Sequence, residues 1–221
     1  MTSNQNGRLG ALAGIGFLAL AILGTIVQAG EPGFAAKPEE LASWFADDAD
    51  AILAGSSLYL VAGILLLWFV SALRTRMQRA TDGDETLPAL AYAGGVAGAT
   101  LCIAAASVDA MGALRADERG AIDPSVAASL ADVAAILYGL AAPAAFAALV
   151  LAVAVTALRG AFLPRWVGYV SIPLGLALAI PPISYVAVIV FSLWPALVGA
   201  LLAFGPQAAH AQVTAPRPAA A

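Results

Sequence analysis

Five stretches of this chain carry no charged residue: Leu9 to Gly30, Ala51 to Leu73, Thr86 to Val108, Val133 to Leu158 and Trp166 to Phe204. The first four are 22, 23, 23 and 26 residues long, close to the ~20 residues an α-helix needs to cross a hydrocarbon core of ~30 Å. A soluble domain has no place for so many such runs. The chain as a whole is 62% hydrophobic and 11% charged, against about 25% charged residues in ordinary globular proteins. The expected fold class is therefore all-α, an integral membrane helical bundle.

The fifth run has 39 residues and as one helix would extend about 58 Å, nearly twice the core thickness. Pro181 and Pro182 interrupt it. Each removes a backbone donor, and the residue before a proline is pushed out of helical geometry. The run divides into two helices, 164–180 and 183–204, joined by a tight hairpin turn. This gives six spans, at about 9–30, 51–73, 86–108, 133–158, 164–180 and 183–204, with a short N-terminal segment, 1–8, and a disordered tail, 205–221. The N-terminal run resembles a secretory signal, but its apolar part exceeds the 7–15 residues of a signal core, so a retained first helix is expected.

Basic residues set the orientation. Arg8, Arg74, Arg76, Arg79, Arg159, Arg165 and Arg217 fall on one side of the six-span arrangement, and only Lys37, Arg115 and Arg119 on the other. The positive-inside rule then places both termini in the cytoplasm and the protein in the cytoplasmic membrane. Trp68, Phe69, Phe162, Trp166 and Tyr169 fall where an inner aromatic belt is expected.

Two segments of the chain are alike. "KPEELASWFADDADAIL" (37–53) and "DPSVAASLADVAAIL" (123–137) share a proline, an Ala-Ser pair, an Ala-Asp step and Ala-Ile-Leu. The helices that follow end in "SALR" and "TALR", and those that precede carry Gly10/Gly14 and Gly94/Gly98. The register is 84 to 86 residues throughout. Two readings stand: a repeat of helical hairpins, three if the last pair is counted, or coincidence in an alanine-rich chain. Small residues four apart let helix backbones approach in lipid, which makes those four glycines the expected packing positions. In the first acidic loop, Leu41, Trp44 and Phe45 share one helical face, as in a helix lying on the outer leaflet or a lid over the bundle.

Chemistry-bearing side chains are scarce. The one histidine, His210, is in the tail; the one cysteine, Cys102, and the one lysine, Lys37, have no second copy. Histidine-ligated haem, thiolate clusters and Ser-His catalysis are unsupported, so no cofactor, no metal and no enzymatic activity are expected. "DDAD" (47–50) reads as a solvated acidic loop, and "DGDE" (82–85) as a turn. Asp109 and Asp132, at the outer ends of the third and fourth spans, form the candidate polar site, either as interfacial caps or as a shared cation or proton site. Ser56, Ser57, Tyr59, Thr100, Tyr138 and Thr156 are expected to bond between helices.

The acidic outer loop, the second helix ending in "LR", "LPRWVGYVSIPLGLAL" (163–178) and "LWPAL" (193–197) give the chain a resemblance. It is similar to uncharacterised multi-pass proteins of actinobacterial type, the family catalogued as domain of unknown function 4386. The resemblance implies a multi-pass bundle and supplies no activity. The expected function is that of a non-enzymatic accessory or partner-binding membrane protein, with the lipid bilayer around it and a homo-oligomeric or membrane-complex role. The alternative is a small transporter or lipid-handling protein gated by the acidic outer loops. Nucleic acid is not an expected partner.

Overall fold

The computed structural model describes residues 3–28, 30–33, 35–81, 84–160 and 162–204, with the side chains of residues 3–8 outside the description. The expected disordered tail, His210, the Asp82-Gly83 turn and residues 1–2 lie outside the described residues. Among those described, every regular element is helical: α1 (Ser3–Val27), α2 (Pro38–Asp47), α3 (Ala49–Ala80), α4 (Thr86–Arg119), α5 (Pro124–Ile136), a π-helical turn (Leu137–Ala141), α6 (Ala142–Leu158), α7 (Arg165–Leu178) and α8 (Ser184–Phe204).

Five helical segments are long and apolar enough to cross a membrane: Leu9–Val27, Ala49–Ala80, Thr86–Arg119, Pro124–Leu158 and Ser184–Phe204. The 39-residue run divides at Pro181 and Pro182, whose peptide bond is cis, into α7 and α8. Of these, α7 has 14 residues and rises about 21 Å, short of the ~30 Å core.

The rods form a ring. α3 packs between α1 and α4, α4 packs on α6, α6 on α7, and α8 returns to lie along α1. α7 and α8 touch each other only lightly, so the expected third hairpin is splayed. The centre is aromatic. Phe146 and Phe191 stack at 4.1 Å between centroids, Phe191 and Trp194 at 6.1 Å, and Trp194 meets Phe69 edge-on at 6.4 Å. These rings join α3, α6 and α8 across the middle of the ring and are buried.

Glycines admit the closest approaches. A Cβ on Gly14 would collide with the Pro195 carbonyl of α8, and one on Gly199 with the Ala11 carbonyl of α1. Gly94 lets α6 backbone within 2.6 Å of the Cβ position, Gly98 clears the Phe146 ring, and Gly10 sits against Ala72. All four glycines singled out in the sequence face a neighbouring helix. Gly10, Gly94 and Gly98 face the helix expected to be their hairpin partner, whereas Gly14 faces the Pro195 carbonyl of α8.

At one end the helices outrun the expected spans. α4 continues eleven residues past Val108, and the next rod starts at Pro124 in place of Val133. The alanine-rich stretch 110–136 forms helix readily, and its turn is well specified. Gly120 ends α4 in the left-handed conformation (φ 71°), Asp123 caps α5 by accepting the Ser125 N–H at 2.9 Å, and Pro124 occupies the first turn. α2 lies against this extension. Trp44 and Phe45 are buried with Ile52, Ala113, Ala116 and Ala127, and Gly112 clears the Phe45 ring. The expectation that this aromatic face lies on the lipid surface is corrected: small residues on α4 and α5 give it a protein surface to bury against. We call this region the cap, and the opposite end of the bundle, with Arg74, Arg76, Arg79, Arg159 and Arg165, the arginine end.

The aromatic-belt expectation divides in the same way. Trp68, Trp166 and Tyr169 are exposed on the bundle surface, but Phe69 and Phe162 are core residues.

Candidate functional site

Among the described residues, two sets of polar bonds join elements inside the bundle. The first runs along α8. Pro143, in the first turn of α6, has no N–H to give the carbonyl four residues back, that of Gly139. The chain takes a π-helical turn there, as helices do when the regular ladder fails. Ser184, at the start of α8, donates its hydroxyl to the Gly139 carbonyl at 2.7 Å. Ten residues further along α8, about 15 Å, Trp194 Nε1 donates to Ser171 Oγ at 2.9 Å, tying α8 to α7. Both serines are fully buried. These bonds satisfy groups that would otherwise be stranded in an apolar interior. They are structural.

The second lies just beneath the cap, where α1, α3, α4 and the π turn meet. Thr25 Oγ1 donates to the Ala21 carbonyl at 3.0 Å, which leaves the Tyr59 hydroxyl as the donor in its 2.8 Å contact with Thr25. Gln28 Nε2 reaches Ser56 Oγ and the Ile52 carbonyl, each at 3.4 Å. Gly24 makes room for the Tyr59 ring and Gly55 for Gln28. Two carboxylates lie within electrostatic reach of this latch. Asp109 on α4 is partly buried and lies within electrostatic reach of Glu31, in the segment after α1. Tyr59 senses both charges, and Tyr138 in the π turn senses Glu31. Glu31 is accessible to solvent but lies close against the bundle, and desolvation raises its carboxyl pKa.

The structure thus places Asp109 within electrostatic reach of Glu31, while Asp132 is exposed on α5. Glu31, Thr25 and Gln28 escaped the sequence reading. They fall at or beyond the end of an apolar run, where a polar residue reads as the start of a loop. Of the polar residues named from sequence, Ser57 and Thr156 bond back within their own helices to Leu53 and Ala152, whereas Ser56 and Tyr59 bond between helices. Among the described residues, no three His, Cys, Asp or Glu side chains converge as metal ligands do. Two carboxylates and two phenols at a helix junction suit a proton or a cation; as arranged they offer no nucleophile paired with a base.

At the arginine end, the loop into α4 is fixed by Asp84, whose Oδ1 accepts the Thr86 N–H at 3.0 Å. That bond holds the Asp84 pKa below its ordinary value. Asp84 also meets Arg159 at 3.9 Å, both side chains well exposed, a pairing of little energetic weight.

Compared with known proteins, the chain matches no family model, no curated protein and no solved structure.

Proposed function

We propose that this chain is a non-enzymatic multi-pass membrane protein that acts by packing against a partner in the cytoplasmic membrane, as a homo-oligomer or as a subunit of a membrane complex. The observation that carries this reading is the aromatic stack of Phe146, Phe191, Trp194 and Phe69, which occupies the place where a conduit between the helices would run. The inward-facing polar groups Ser171 and Ser184 are consumed in bonds to the protein itself. In this reading α7 is a short sixth span, and the arginine end faces the cytoplasm, as the seven-to-three division of basic residues favours. Gly10 against α3 and Gly94 against α6 support a relation between the α1–α3 and α4–α6 hairpins. The likeness to uncharacterised multi-pass proteins of actinobacterial type is compatible with this and adds no activity.

The second reading, a small transporter or lipid-handling protein, draws on the Glu31–Asp109 pair beneath the cap. Extraction of the tagged protein from its native membrane in mild detergent, followed by native mass measurement, separates the two. The partner reading expects a stoichiometric assembly heavier than one 22.2 kDa chain. A single chain, with no companion at any detergent strength, overturns it.

A further inference from the structure

Arg74 stands on α3 at the arginine end, where the first charge follows the apolar run 51–73. Its guanidinium carbon lies 4.8 Å from the centroid of the Tyr92 ring on α4, so one face of the fork rests on an aromatic shelf. Its Nε is buried and has no hydrogen-bond partner, and among the described residues no carboxylate pairs with it. The described acids of the connecting loop have other partners: Glu85 accepts from Gln78 at 3.4 Å, and Asp84 serves Thr86 and Arg159. An arginine held on a ring, with no carboxylate beside it among the described residues, carries an uncompensated charge. Trp68, two turns deeper on the α1 side of α3, is exposed on the bundle surface, so this end of α3 lies at the level where acyl chains give way to headgroups.

We propose that Arg74, on its Tyr92 shelf, binds the phosphate of an anionic phospholipid seated at the arginine end of α3 and α4. The two terminal Nη groups of the guanidinium, apart from the sealed Nε, offer a phosphate two parallel N–H donors. The ring holds the fork in place and lowers the ordering cost. Arg76 and Arg79 on the same helix end raise the local positive potential, which favours a headgroup with net negative charge over a zwitterion. The proposal rests on the membrane reading but not on the partner reading, so it survives if the protein proves to be a transporter.

The test uses the full-length protein in an uncharged detergent, with thermal unfolding followed after addition of phosphatidylglycerol, phosphatidylcholine or inorganic phosphate. Phosphatidylglycerol in excess raises the melting temperature by about 5 °C or more above the phosphatidylcholine value, and inorganic phosphate does not. Arg74→Gln abolishes the difference, Tyr92→Leu weakens it, and Arg159→Gln leaves it intact. Mass-resolved lipid binding to the parent protein supplies a readout that needs no variant, and it should retain phosphatidylglycerol over phosphatidylcholine. Equal effects of the two lipids on the parent, an equal effect of free phosphate, or a full increment in Arg74→Gln would each overturn the proposal.

Discussion

The membrane bundle and the cap are both packed helices, yet different forces hold them. Between rods surrounded by lipid, apolar side chains gain little by leaving a medium as apolar as themselves, and association depends on close contact and hydrogen bonds. The bundle accordingly brings backbones together at Gly14, Gly94 and Gly199 and spends its few hydroxyls on carbonyls and an indole. The cap carries Asp47, Asp48, Asp117, Glu118 and Arg119 on its exposed sides, the mark of a water-facing region. There the burial of Trp44 and Phe45 removes large apolar areas from water, at roughly 25 cal/mol per Å². Glycine serves shape in both regions, backbone to backbone in the bundle and backbone to aromatic ring at Gly112.

This contrast can be broken by substitution. The largest effect is expected at Gly14. Gly14→Leu drives a side chain into the Pro195 carbonyl, which cannot move aside without displacing α8, and should cost about 3 kcal/mol or more, beyond ordinary overpacking. Gly63→Leu, whose nearest obstacle is the Ile103 side chain and not backbone, should cost less, about 2 kcal/mol. Equal melting of the two variants in detergent would mean that backbone approach is not what joins α1 to α8. Phe45→Ala should cost about 3 kcal/mol, more than Gly63→Leu and no more than Gly14→Leu, and its effect should stay local. Amide hydrogen exchange should rise in α2 and at the α4–α5 turn while α6 and α8 remain protected. Exchange spread evenly through the bundle would show that cap and bundle are one cooperative unit.

Much of the bundle was legible in the sequence, because a helix in lipid must be long, apolar and charge-free, and all three properties can be read directly. The break at Pro181-Pro182 and the packing role of Gly10, Gly14, Gly94 and Gly98 follow from backbone chemistry alone. The cap was not legible for a related reason. Charged residues in 109–132 look like a loop when apolar runs are the guide, and only the alanines and the Gly120-Asp123-Pro124 turn signal two extended helices. The candidate site was half visible. Asp109 stood out as an acid at the end of an apolar run, but its neighbour Glu31 comes from a segment 78 residues earlier, a proximity set by the packing of α1 and α4 around α3. The bond between Ser184 and Gly139 carried a signal in Pro143, since a proline one turn along leaves a carbonyl in need of a donor.

The central claim is that the middle of the bundle is filled and stays filled. Ser171→Cys, made in a Cys102→Ala background, places a thiol at the buried contact with Trp194. In native vesicles of either orientation, and with no detergent present, this thiol should resist a membrane-impermeant maleimide for as long as a cysteine at exposed Ser43 takes to label fully. Labelling of residue 171 from either side would mean that water reaches the aromatic stack, and the filled-bundle account would give way to the transporter reading.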